Sequence, residues 1–156
     1  MIRVLGIDPG GTTGLAVLDF PDVYPVGEEF GQLPPDRVLQ LVLWWLRDAG
    51  HRVNLVAIEK FVVSRRSGRS STAQAGEQAR LIIGGVAQLC QQHGVRLVQR
   101  PAGVVKPWAT DRRLDAAGLL APTRGMGHAR DAARHALYAA VRDLRLPDPL
   151  STKERT

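Results

Sequence analysis

The sequence predicts an α/β fold, a mixed five-stranded sheet in which three antiparallel strands are followed by parallel ones, with helices on its flanks. Three observations lead there. The apolar runs come in the order three strands, helix, strand, helix, strand, helix, and strands that meander first and then alternate with helices imply a mixed sheet covered by helices. The length of 156 residues suffices for one ordinary domain with its own core and is short for two. No internal repeat, low-complexity tract or linker divides the chain, so residues 1–146 are expected as a single domain and the proline-punctuated, charged stretch 147–156 as a flexible tail.

Each element has its own signal. Ile2, Val4, Leu5 and Ile7 form a short apolar strand ending at Asp8, after which Pro9, Gly10, Gly11 and Gly14 supply the bending residues of a turn. An apolar run over 15–20 makes the return strand of this hairpin, and a third strand over about 26–33 extends it. Pro34 and Pro35 lead into Asp36 and a helix whose apolar residues Val38, Leu41, Val42, Trp45 and Leu46 recur every three or four positions. Gly50 stops it. The β-branched run 53–58 reads as a buried strand ending on Glu59. A polar, Ser-rich loop over 64–74 contains Arg65, Arg66 and Arg69. Then Ala79, Ile82, Ile83, Val86, Leu89 and Cys90 mark a long helix closed by Gly94. A short strand over 95–98 and helical pieces over 101–120 lead to a last helix over 129–144, with Leu137, Ala140, Val141 and Leu144 as its apolar stripe.

Composition narrows the function. At 44% hydrophobic and 23% charged the chain is globular rather than disordered or fibrous. No apolar stretch approaches the ~18 residues of a membrane span, and the N-terminus lacks a signal-peptide pattern, so a cytoplasmic protein without membrane contact is expected. The single Cys90 excludes an intrachain disulfide and a cysteine-built zinc cage. With 21 basic against 15 acidic residues the net charge is +6. That suits a polyanionic partner, and equally an Arg-rich compositional bias.

Three acids stand at element ends: Asp8 after the first strand, Glu59 after the fourth, Asp131 near the start of the last helix beside His128. Sheet neighbours lie ~4.8 Å apart, so carboxylates ending adjacent strands can converge, and a helix over that edge can add a third. Gathered in a cleft, they repel one another unless cations intervene. A hard divalent ion such as Mg²⁺ is the economical answer, and two such ions ~3.5–4 Å apart can hydrolyse a phosphodiester. Singly, each acid has a plainer reading, as a turn former or a complement to the helix dipole. His128 and Asp131 share a helix face, and His135 continues it one turn on, where an ordinary helix side chain is the simpler account.

The segment Val4-Leu5-Gly6-Ile7-Asp8-Pro9-Gly10 with Thr13-Gly14-Leu15-Ala16-Val17 resembles the opening hairpin of the RuvC family of Holliday-junction resolvases. Val56-Ala57-Ile58-Glu59 is similar to that family's second motif, and His128-Ala129-Arg130-Asp131-Ala132-Ala133 to its C-terminal helix motif. Arg100-Pro101 followed by Val105-Lys106 resembles the segment whose lysine lies near the scissile phosphate. The matches span residues 2 to about 143 in family order. The resemblance implies an RNase H-like fold and a Mg²⁺-dependent endonuclease cutting branched DNA, with Mn²⁺ able to substitute. Asp8 would bridge two ions, Glu59 would hold one, Asp131 with His128 would complete the shell, and Lys106 would neutralise the cleaved phosphate. His128 stands where some members carry Asp, and is open to a role as ligand or as general base.

The arginine loop follows the catalytic strand, so DNA contacts are expected from Phe61, Arg65, Arg66, Arg69, Lys106, Arg124 and Arg130, with Phe61 either an apolar wedge or a core residue. Trp44, Trp45 and Trp108 are expected in the core or an interface. Symmetric cuts need two sites, which a two-fold homodimer supplies. The resemblance implies dimerisation through the helix around 75–92, whose Ile82, Ile83, Val86 and Leu89 with Gly84 and Gly85 either pack on a second copy or fill the monomer core. Other readings are a YqgF-like nuclease acting on structured RNA and a non-catalytic branched-DNA-binding module. The Asp8–Gly14 hairpin also resembles that of sugar kinases and actin-like ATPases, but those close two domains on ATP, so no nucleotide cofactor is expected. The resemblance implies the cytoplasm of a bacterial or phage-infected cell.

Overall fold

The computed structural model describes residues 1–22, 24–48, 50, 52–62 and 71–153. Strands β1 (Ile2–Asp8), β2 (Thr13–Phe20) and β3 (Val26–Leu33) precede helix α1 (Pro35–Arg47), strand β4 (Leu55–Glu59), helix α2 (Ser71–His93) and strand β5 (Arg96–Arg100). Helices α3 (Ala102–Val105), α4 (Asp111–Ala116), α5 (Gly127–Asp143) and α6 (Pro149–Lys153) complete the chain. The sheet order is β3-β2-β1-β4-β5, antiparallel across β1/β2 and β2/β3 and parallel across β1/β4 and β4/β5. The mixed sheet is therefore as the element order predicts.

Alternation along the strands sorts two cores. Leu5, Ile7, Val56 and Ile58 face one way, onto Val38, Val42 and Trp45 of α1 and Ile82, Val86 and Cys90 of α2. Val4, Leu18, Leu55 and Ala57 face the other way, onto Ala136, Leu137 and Ala140 of α5 and Leu114 of α4. At the sheet end where β1 begins, Arg3 forks onto the carboxylate of Asp19 at 2.7 and 2.6 Å, both side chains buried. It also stacks over Trp45.

Three expectations change. The helix α2 starts at Ser71, so it takes in residues assigned from sequence to the polar loop; Arg65, Arg66 and Arg69 lie outside the described residues. Its C-terminus is as the sequence suggests: Gly94 takes φ 63°, and the Val95 N–H reaches back to the Cys90 carbonyl, closing the last turn. The stripe offered for dimerisation belongs to the monomer core, since Ile82 and Val86 are buried and Ile83 and Leu89 pack against them. Gly85 likewise faces Leu39 of α1. The stretch from 147 to 153 is not a loose tail, because Asp148 receives a forked pair of bonds from Arg113 of α4 at 3.0 and 3.1 Å and Pro149 opens α6. A proline at a helix start is a starter as readily as a terminator.

Candidate metal and nucleic-acid site

Parallel register brings the first two acids together. Ile7 pairs with Ile58, so Asp8 and Glu59 are the next residues on neighbouring strands, and period two turns both toward the α5 side of the sheet. Asp8 is 8% exposed. Its neighbour across the hairpin is Gly14.

The third acid arrives because α5 presses onto the sheet where side chains are missing. A Cβ on Gly14 would stand 2.0 Å from the His128 carbonyl oxygen, and one on Gly6 would stand 2.1 Å from that of Ala132. Ala16 packs with Ala132 and Ala133 in the same contact. Gln32 of β3 accepts from the His128 N–H at 3.0 Å, satisfying one of the open donors of the first helical turn, where Met126 at the N-cap supplies no side-chain bond. This notch fixes the height of α5 and with it the positions of His128 and Asp131.

Every acid has a basic companion. His128 Nδ1 lies 2.8 Å from Asp8 Oδ2, and His135 Nε2 lies 3.2 Å from Glu59 Oε2. Lys106 Nζ donates to Asp131 Oδ2 at 2.7 Å, while Arg134 donates to Asp131 Oδ1 and to Asp111 and, at 3.0 Å, to the Ala109 carbonyl. Burial pushes the Asp8 carboxyl up to about 6; the charges of Glu59 and Asp131 add to that, and the His128 bond opposes it. For Lys106 burial works against the charge. The hydrogen bond to Asp131 and the fields of Asp131, Glu59 and Asp8 outweigh it and hold the ammonium above its ordinary pKa.

Asp8, Glu59, His128, Asp131 and Lys106 thus occupy one edge of the sheet, and His135, read from sequence as a plain helix residue, joins them. Its signal was the i+4 step from Asp131 on the same face. By chemistry the donor set suits a hard divalent cation: three carboxylates, of which the buried Asp8 feels the charge of the other two, with an imidazole alongside. No three His, Cys, Asp or Glu side chains among the described residues are grouped as a ligand set, and both Asp131 oxygens are engaged by Lys106 and Arg134. The other expected contacts differ in placement. Phe61 is half-buried, its ring in the space above Gly76 and beneath the Arg80 guanidinium, while Val62 is exposed. Arg130 turns to Thr123 at the start of α5, and Arg124 is exposed beside it. Trp45 is buried, Trp108 packs edge-on against Tyr138, and Trp44 is exposed.

No family model matches the chain, and no curated protein matches it in sequence. Solved structures do. "T. thermophilus RuvC in complex with Holliday junction substrate" superposes with a TM-score of 0.70 over 93% of this chain and 96% of that one, at 20% identity. A second Thermus thermophilus RuvC structure gives 0.68 over 93% and 98%, at 19% identity. The fold is RNase H-like. In this RNase H-like frame the central strands β1 and β4 end on Asp8 and Glu59, and α5 lies across them. No helix among the described residues is long and apolar enough to cross a membrane.

Proposed function

We propose that this chain is a divalent-metal-dependent endonuclease that cuts branched DNA and resolves four-way junctions. The observation that carries the reading is that Asp8 and Glu59 end neighbouring parallel strands of an RNase H-like fold, with α5 laying His128 against Asp8 and bringing the charge of Asp131 to bear on it. The likeness to a RuvC solved with a Holliday junction supports the substrate class. Asp8, Glu59, Asp131 and His128 would hold Mg²⁺, or Mn²⁺ in its place, which when bound activates water and neutralises charge at the phosphate.

The chain's own groups do the rest. Lys106 carries a point charge with three donors, suited to a phosphate oxygen. With Nδ1 committed to Asp8, His128 has Nε2 as the nitrogen to take a proton from water or to ligate. Arg124, exposed at the entry to α5, is a phosphate contact, as are Arg65, Arg66 and Arg69 on the segment after β4. Phe61 and Arg130 would then act behind the surface, by supporting α2 and the loop around Thr123. Paired cuts call for two copies. The outward face of α2, with Leu81 69% exposed and open space over Gly84, is the surface left for that contact.

Asp8→Asn and Asp131→Asn are expected to slow four-way-junction cleavage in Mg²⁺ or Mn²⁺ by about 100-fold or more while leaving junction binding intact, since each removes stabilisation at the reacting phosphate. Cleavage at the wild-type rate would overturn the site. Preferential cutting of structured RNA would overturn the substrate.

A further inference from the structure

On α5, His135 sits among Ala132, Ala133, Ala136, Leu137 and Ala139, all buried, and is itself 2% exposed. A polar ring so placed must have a partner, and the partner is Glu59, Nε2 to Oε2 at 3.2 Å. Glu59 is the less enclosed of the two, its side chain 23% exposed at the end of β4. A glutamate there has three side-chain torsions to settle, and nothing in a strand end settles them. With its proton on Nε2, the imidazole donates to one carboxylate oxygen and leaves the other for a cation. The arrangement repeats along the helix: His128 serves Asp8 and His135 serves Glu59, seven residues apart, which is about 10.5 Å of helix rise and nearly the same face.

We propose that His135 is a positioning residue that holds the Glu59 carboxylate toward the metal site and thereby sets the metal affinity of this chain. This rests on the nuclease reading above. Oriented ligands bind metal more tightly because the ordering is done before the ion arrives, and loss of such an outer partner typically weakens affinity about 10- to 100-fold.

The test is Mn²⁺ binding to the full chain by calorimetry, together with junction cleavage across a Mn²⁺ series, for wild type, His135→Leu, His135→Gln, Glu59→Gln and the double variant. His135→Leu is expected to weaken Mn²⁺ binding and raise the half-maximal Mn²⁺ concentration by about 10-fold or more, a larger change than in the saturating rate. His135→Gln, whose amide N–H replaces Nε2–H, is expected to recover most of the affinity, and His135→Leu is expected to add nothing in a Glu59→Gln background. Wild-type Mn²⁺ binding in His135→Leu overturns the proposal, as does equal weakening in the Leu and Gln variants with a matching fall in melting temperature, which marks packing alone. If His135→Leu does not fold, the Gln variant decides: near-wild-type affinity supports the proposal and a 10-fold loss overturns it. A wild-type chain that binds no Mn²⁺ overturns the nuclease reading as well, whereas Mn²⁺-dependent cleavage indifferent to His135 overturns this proposal alone.

Discussion

The charge on Asp8 is a burden on the folded state. Its carboxyl titrates at about 6 in the protein against roughly 3.9 in an unfolded chain. A group whose pKa is raised by folding favours the native state below the unfolded value and loses that contribution as pH climbs through the folded one. Near pH 7.5 the ionised Asp8 therefore costs about 2–3 kcal/mol. Asp8→Asn is expected to raise stability in chemical denaturation at pH 7.5 by up to about 2 kcal/mol, with the gain fading by pH 4. A variant less stable than wild type at both pH values would contradict this account. Mg²⁺ should raise the melting temperature of the wild type and leave that of Asp8→Asn almost unmoved, as expected for an ion that binds only the native site.

At the scale of elements, the contact of α5 with β1 and β2 decides whether the site exists. Gly14→Ala forces a methyl against the His128 carbonyl and is expected to cost about 1–3 kcal/mol in urea unfolding, as overpacking does. It should lower cleavage too, without touching an acid or a base. Gly31→Ala on β3, where the added carbon meets open space, is expected to stay within about 0.5 kcal/mol of wild type. Equal losses at the two glycines would sink the notch as the cause. These elements also show what the sequence could disclose. Strand ends at Asp8 and Glu59 and the helical step from His128 to Asp131 were legible because period two and period 3.6 are local. The role of His135 was not: spacing put it on the right face, but only the crossing of α5 over β4 gives it Glu59. The α2 stripe was readable as buried, yet periodicity does not say whether α1 or another molecule covers it. Prolines 147 and 149 looked like an ending until Arg113, far back in sequence, met Asp148.

For the whole molecule, the net charge of +6 divides unevenly. Arg3, Arg96, Arg100, Arg113 and Arg134 face acids within the fold, so on the nuclease reading DNA affinity would rest on the other cations and is expected to fall steeply with salt in a gel-shift series. A flat salt response would argue against phosphate binding. Light scattering should give twice the chain mass at micromolar concentration, and Leu81→Lys should return it to one copy; a wild-type monomer that still cuts both strands would remove the dimer. The pairing of Lys106 with Asp131 has one more consequence. On the nuclease reading a single ammonium would have two claimants, the carboxylate of Asp131 that it holds here and a backbone phosphate of bound DNA. A strand that draws Lys106 away would uncover an oxygen on Asp131, and a cation that takes that oxygen would release Lys106 to the strand. Metal and DNA would then promote each other's binding by the same factor, each measurable through the other, and the Lys106–Asp131 pair would be the closed state of an empty site.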